Sequence, residues 1–273
     1  MRILFIGDIV GKPGRDIVRD AIAPLRAKKA VDFVIANAEN SAGGSGLTPA
    51  NYKELIAAGV DCITLGDHIF RRKEIEKILS TKSNIVKPAN YPSEAPGKTW
   101  TVLPAPDGTQ VVVISLLGRV FMKPVDCPFK AVDQALDEIP SDAKVIFVDM
   151  HAEATSDMQL MGRYLDGRVS AVLGTHTHVP TADEQILPGG TAFQCDVGMT
   201  GPYESILGRR IDRVMQATVT FMPTPFDVAK GDVRLSGSIV DIDSTTGKAT
   251  NIERLMLTTE QVTAMNPPGE TTT

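Results

Sequence analysis

Residues 2–8, Arg-Ile-Leu-Phe-Ile-Gly-Asp, form a short apolar run that ends on a carboxylate. Such a run, bounded by glycine, is typical of a buried strand. Four further apolar runs also end on residue types that bind metals: Glu39-Asn40 after 33–38, Asp67-His68 after 61–65, His151 after 145–150, and His176-Thr177-His178 after 169–173. Because α/β sheets build their sites at the carboxyl ends of strands, we expect these side chains to meet.

All four histidines of the 273-residue chain lie in these strand-end motifs. His176 and His178 stand two apart, so in an extended segment both imidazoles project to the same side. Each motif alone also has a structural explanation, such as a turn, a cap or a hydrogen-bonded histidine. Five strand ends that collect carboxylates and imidazoles together favour one metal site, and donors without sulfur suit Mn, Fe or Zn.

The composition indicates an ordinary globular enzyme, with 42% hydrophobic and 22% charged residues. A formal net charge of −5 offers no general attraction to nucleic acids or membranes, so an anionic substrate needs local positive charge. Three separated cysteines indicate free thiols in a reducing compartment. We find no signal peptide and no apolar run long enough to span a membrane, and therefore expect a cytoplasmic, soluble protein.

Strands and helices alternate along the first 80 residues, which predicts a mostly parallel sheet of the α/β class. The predicted strands are 2–6, 32–36 and 61–65, and the predicted helices lie near 14–28, 48–56 and 73–79. Thr48 and Pro49 supply the cap and the first turn of the second helix.

The rest of the chain predicts a second sheet within the same domain. Its strands are 111–114, 144–149 and 169–173, with a helix near 156–165. After Thr181 the pattern is β-rich, with strands 191–193, 233–242 and 252–257 and a turn at 243–247. We expect one domain over 1–265, built from two packed sheets, and a disordered polar tail at 266–273.

Two motifs resemble known signatures only in part. In residues 7–14 only three residues separate Gly7 from Gly11, and Pro13 stands where a phosphate loop needs Ser or Thr. What remains is a glycine-rich turn that opens a helix. His151-Ala152-Glu153 matches half of a zinc deaminase signature, but the chain lacks the Pro-Cys-x-x-Cys half.

Taken in order, the five strand-end motifs resemble those of the calcineurin-like metallophosphoesterases, and more closely the YmdB-like branch of bacterial phosphodiesterases. Residues 151–156, 174–183 and 196–202 support this resemblance, which covers nearly the whole chain. It implies a four-layer α/β/β/α sandwich with two packed mixed sheets. It also implies two metal ions, Fe or Mn by preference, with Zn or Mg as alternatives.

The resemblance also implies a role for each motif residue. The first metal would be bound by Asp8, Glu39, Asn40 and His178. Glu39 would bridge to the second metal, which Asp67, His151 and His176 would also bind. His68 would stay unligated near the scissile ester. The wider superfamily has a histidine where this chain has Val10, and Asn40 supplies the missing ligand.

The implied reaction is hydrolysis of a phosphodiester, with 2′,3′- or 3′,5′-cyclic nucleotides as the expected substrates. A hydroxide that bridges two metals about 4 Å apart would attack phosphorus. His68 would act as the general acid that protonates the leaving oxygen. The loops 43–46 and 196–203 are expected to border the pocket. Arg119 is either a phosphate contact or a surface residue paired with a carboxylate.

Other functions fit the same residues. A phosphomonoesterase or a nuclease would use the same centre, although the acidic net charge disfavours long polynucleotides and no extended nucleic-acid surface is evident. A metal-stabilised regulatory protein that binds nucleotides with little turnover is a further alternative. The expected partner is a small phosphodiester or nucleotide, and the sequence allows a homo-oligomer. One departure concerns Asp67, where the family has asparagine.

Overall fold

A computed structural model describes residues 1–265, and strands are numbered here along the chain. The first sheet contains β1 (Arg2–Ile6), β2 (Asp8–Ile9), β3 (Phe33–Asn37), β4 (Cys62–Thr64), β5 (Ile85–Val86), β12 (Met199–Pro202), β13 (Val233–Ile242) and β14 (Ala249–Thr258). The second sheet contains β6 (Trp100–Pro104), β7 (Gln110–Leu117), β8 (Val145–His151), β9 (Ala171–Thr175), β10 (Gln185–Ile186) and β11 (Ala192–Gln194).

Both sheets are mixed, with parallel strands at their centres. The first has the order β2-β12-β13-β1-β3-β4-β5, with β14 paired to β13. Within it β1, β3, β4 and β5 are parallel, and β13 runs antiparallel to β1. The second has the order β10-β11-β9-β8-β7-β6, with parallel β7, β8, β9 and β11 between antiparallel edges. The parallel strands deliver the residues that follow them to one edge of each sheet.

Most of the helices pack on the outer faces of the sheets, and α6 is the exception. They are α1 (Gly11–Lys29), α2 (Pro49–Ala57), α3 (Glu76–Thr81), α4 (Pro128–Glu138), α5 (Thr155–Leu165), α6 (Ile211–Thr220) and α7 (Thr259–Met265), with a 3-10 turn at Lys73–Ile75. Thr48 caps α2 by accepting a hydrogen bond from the Asn51 N–H at 3.2 Å, and Pro49 is its first residue. The predicted capping of this helix is therefore confirmed.

Three apolar cores establish the four layers. One lies between α1, α2 and the first sheet, and another between α4, α5 and the second sheet. The third fills the space between the sheets, where the rings of Phe5 and Phe147 lie 4.9 Å apart. Ile3 and Phe5 face this central core, and Leu4 and Ile6 face the helices. The predicted α/β/β/α sandwich is confirmed.

The sequence pattern missed three helices. The region after Thr181 is less purely β than predicted, because α6 and α7 interrupt it. Helix α6 has no buried residue, although its apolar residues Ile211, Val214 and Met215 stand at helical spacing. Helix α4 also went unpredicted. The turn at 243–247 does join β13 and β14, with Gly247 at φ 75°.

Within residues 1–265, no helix combines the length and the apolar character that crossing a membrane requires. The predicted disordered tail, 266–273, lies outside the described residues.

Candidate metal centre

The five strand ends meet at one edge of the sandwich. Asp8 begins β2 directly after β1, and His151 is the last residue of β8. The other motifs lie in the loops that follow β3, β4 and β9. The structure thus brings together His68 and all seven residues that the sequence predicted as metal ligands.

Four predicted ligands form the tightest group. One ligand atom from each of Glu39, Asp67, His151 and His176 lies within 4.8 Å of all the others. His151 Nε2 lies 3.2 Å from Glu39 Oε1 and 3.5 Å from Asp67 Oδ1. Asp67 Oδ1 is buried and accepts no hydrogen bond from the described residues. A buried oxygen without a donor is costly, and a cation beside it removes that cost, so these residues fit a metal ion.

The remaining predicted ligands, Asp8, Asn40 and His178, adjoin this group through Glu39. Asn40 Nδ2 lies 3.2 Å from Asp8 Oδ1, 3.3 Å from His178 Nε2 and 3.5 Å from Glu39 Oε1. Glu39 Oε1 therefore lies between the two groups, as a bridging ligand must. An amide binds cations through oxygen, so coordination by Asn40 requires its side chain to rotate and exchange the two ends.

A buried hydrogen-bond chain behind His151 escaped the sequence analysis. Asp149 accepts hydrogen bonds from Thr64 Oγ1 at 2.5 Å, Thr175 Oγ1 at 2.7 Å and Asn37 Nδ2 at 3.1 Å. Thr175 Oγ1 in turn lies 2.8 Å from His151 Nδ1. Burial raises the pKa of Asp149 to about 6. The one available signal was a carboxylate inside an otherwise apolar strand.

Each of the three histidines predicted as metal ligands places one ring nitrogen near a hydrogen-bond acceptor. For His151 that acceptor is the Thr175 hydroxyl. His176 Nε2 lies 3.0 Å from Glu153 Oε2, and His178 Nδ1 lies 3.1 Å from the Leu207 carbonyl oxygen. Such contacts hold the proton on the outer nitrogen and leave the inner one free to bind a metal.

The loop that carries His176 and His178 is a turn, so the prediction of an extended segment is wrong. Their φ angles are 112° and 66°, in the left-handed region. Asp196 holds the turn by accepting hydrogen bonds from the Thr177 N–H and hydroxyl, both at 2.8 Å, and from the Gly198 N–H at 2.7 Å. Burial and the charge of Asp8 raise the pKa of Asp196 to about 8.

Gly66 allows His151 to reach the cluster. A Cβ atom at this position would lie 2.2 Å from His151 Cδ2 and 2.3 Å from His151 Nε2. The imidazole ring therefore occupies the volume that any side chain at residue 66 would need.

A cavity of about 290 Å³ opens onto these residues. Its lining includes His68, Gly44 of the predicted glycine-rich loop, Glu153, Leu207 and Arg209. His68 Nδ1 lies 2.7 Å from Asn40 Oδ1 and 3.6 Å from Glu39 Oε1. The loop 196–203 does not line the cavity, contrary to expectation. Arg119 does not line it either and is exposed, as its interpretation as a surface residue predicts. Arg209, which the sequence analysis missed, does line the cavity.

Comparison with known proteins identifies relatives that match most of the chain. A 2′,3′-cyclic-nucleotide 2′-phosphodiesterase of Bacillus subtilis (strain 168) is 48% identical over 257 residues, covering 94% of this chain and 97% of the relative. A putative phosphatase/phosphodiesterase of Mycoplasma pneumoniae is 32% identical, covering 94% and 93%.

Two solved structures share the fold. A hypothetical protein from Thermus thermophilus superposes with a TM-score of 0.88 at 41% identity, covering 94% of this chain and 99% of that one. A novel phosphatase from Mycoplasma pneumoniae also gives 0.88, at 32% identity and with 94% and 93% covered. The family model of the YmdB-like proteins matches residues 4–255. The strand-end cluster, the fold and these matches agree, and the chain belongs to the YmdB-like protein family.

Proposed function

We propose that this protein is a binuclear-metal-dependent phosphodiesterase that hydrolyses cyclic nucleotides, with 2′,3′-cyclic nucleotides as the first candidates. One observation carries the proposal: the Glu39 carboxylate lies between two sets of predicted metal ligands and lines a cavity. The name of the Bacillus subtilis relative supports the choice of substrate. Cleavage of the bond to the 2′ oxygen would leave a 3′ monophosphate.

The side chains divide into two ligand sets that share Glu39. Asp8, Asn40 and His178 would hold one cation, and Asp67, His151 and His176 the other. Oxygen and imidazole donors without thiolate suit Fe or Mn. When bound, two such ions polarise a phosphate and make water a better nucleophile.

The chain itself supplies the proton that the leaving oxygen needs. His68 lines the cavity beside the ligands, and its ring nitrogens lie 3.6 Å from Glu39 Oε1 and 3.8 Å from Asp67 Oδ2. Imidazole exchanges protons within the physiological pH range, which suits this side chain to the task. We further propose that residues 1–265 act as one domain, since strands of both sheets contribute to the central core.

Comparing metal-depleted and metal-loaded protein tests the proposed function. Chelated protein is expected to be inactive on bis(p-nitrophenyl) phosphate and on 2′,3′-cyclic AMP, and Mn²⁺ or Fe²⁺ should restore both activities. Product analysis should show 3′-AMP as the end product. Faster hydrolysis of 3′-AMP than of the cyclic diester would favour a phosphomonoesterase. Bound metal without turnover of any phosphate ester would favour the regulatory alternative.

The variant Asp67→Asn tests the charge of the centre. Asp8, Glu39 and Asp67 together contribute three negative charges against four positive charges from two divalent ions. Removing one negative charge should polarise a bound phosphate more strongly. We expect the variant to retain its metal while turnover rises or the preferred metal changes. Unchanged kcat and unchanged metal content, measured by elemental analysis, would contradict this explanation.

A further inference from the structure

Arg209 is the one lysine or arginine among the residues that line the 290 Å³ cavity. It is the last residue of a tight turn, in which the N–H groups of Ile206 and Arg209 each donate to the other residue's carbonyl oxygen, at 2.9 and 3.0 Å. The Leu207 carbonyl oxygen of this turn lies 3.1 Å from His178 Nδ1. The turn thus ties the position of Arg209 to that of a predicted metal ligand.

Three backbone carbonyls fix the guanidinium of Arg209. Nη1 donates to Gly43 O at 3.0 Å and to Phe226 O at 2.9 Å, and Nη2 donates to Gly44 O. A Cβ atom on Gly44 would lie 2.5 Å from the guanidinium carbon, so only glycine permits this placement. The cation is therefore held rigidly against the glycine-rich loop, which lowers the entropy cost of binding a ligand.

No carboxylate among residues 1–265 lies within ion-pair distance of Arg209. Asp227, which attracts it at longer range, pairs with Arg213 at 3.8 Å. Burial lowers the pKa of Arg209, which indicates that the group has lost part of its hydration. A partly desolvated cation without a counterion favours an anionic ligand.

The hydrogen bonds of Arg209 to the described residues leave two of its N–H donors unused. A guanidinium has five N–H groups, and the carbonyls of the described residues use three. The remaining donors are Nε–H and one N–H of Nη2. Nε–H and an N–H of Nη2 can together contact two oxygens of a phosphate in a bidentate arrangement.

We infer that Arg209 binds two non-bridging oxygens of the substrate phosphate and positions it over the ligand cluster. This inference rests on the proposed function and identifies the residue that recognises the phosphate. Glu153 also lines the cavity and carries the opposite charge, so the phosphate should lie nearer Arg209 than Glu153.

The test compares Arg209→Gln and Arg209→Lys with the control Arg210→Gln. Arg210 is the adjacent exposed arginine, and its Nη2 pairs with Asp212 at 2.6 Å outside the cavity. In Mn²⁺-loaded protein, inorganic phosphate should bind both Arg209 variants about 10- to 100-fold more weakly, as expected for lost charged hydrogen bonds. The KM for 2′,3′-cyclic AMP should rise by a similar factor. Metal content should match wild type in all three variants, and the control should also keep the phosphate affinity and KM of wild type.

Two results would overturn the inference. Unchanged phosphate affinity in both Arg209 variants would reduce Arg209 to a tether between the glycine-rich loop and the chain near Phe226. Weaker phosphate binding accompanied by loss of metal would show that Arg209 acts through the ligand cluster. If the wild type fails to hydrolyse cyclic nucleotides, the proposed function fails, but calorimetric titration with phosphate still decides the role of Arg209.

Discussion

Glu39→Gln is expected to lower kcat/KM by about 10³-fold or more, because it removes charge shared by both ligand sets. Glu39 Oε1 lies 3.2 Å from His151 Nε2 and 3.5 Å from Asn40 Nδ2. A neutral amide oxygen binds cations more weakly than a carboxylate. Metal ions contribute several kcal/mol to transition-state stabilisation, and each 1.36 kcal/mol corresponds to a factor of about ten in rate.

Elemental analysis and kinetics on the same preparation measure this effect. Bound metal should fall in parallel with kcat/KM. The matched control is Glu74→Gln, at an exposed position on the 3-10 turn, which should leave both quantities unchanged. Glu39→Gln protein that keeps full metal content and wild-type kcat/KM would refute the bridging role.

His68→Ala is expected to lower kcat on 2′,3′-cyclic AMP by about 10²–10⁴-fold, the usual contribution of a general acid. Metal content should remain unchanged, because the four-residue ligand group excludes His68. The main-chain N–H of His68 donates to Glu39 Oε2 at 2.8 Å, and this contact survives the substitution.

Substrates with different leaving groups distinguish a general acid role of His68 from a structural role. A nitrophenolate leaves without protonation, whereas the ribose alkoxide does not. The loss on bis(p-nitrophenyl) phosphate should therefore be much smaller than the loss on the cyclic nucleotide. An equal loss on both substrates, or loss of metal from the variant, would show that His68 supports the cluster instead of donating a proton.

The strand ends could be predicted because their signal is local. Apolar runs that end on Asp8, Glu39 or His151 identify buried parallel strands and the residues beyond them. The partners of Asp149 could not be predicted, because three separate strands contribute Asn37, Thr64 and Thr175. Only the tertiary fold brings these polar groups together.

Arg209 was missed for a related reason. It lies 31 residues beyond His178 in a region without apolar periodicity, and only the turn at 206–209 brings it to the cavity. The backbone of residues 176–178 was predicted wrongly because two histidines separated by one residue are compatible with an extended segment and with a turn. The hydrogen bonds that Thr177 donates to Asp196 hold the turn, and Asp196 is 19 residues away along the chain.

The space that Gly66 leaves for His151 limits how this protein can evolve. A methyl group at residue 66 would overlap the imidazole of His151, which is fully buried. A residue that contributes no functional atom is thus as irreplaceable as the ligands themselves. A mutation that replaces Gly66 with any other amino acid would be expected to inactivate the protein, even though all the predicted ligand residues remain in the sequence.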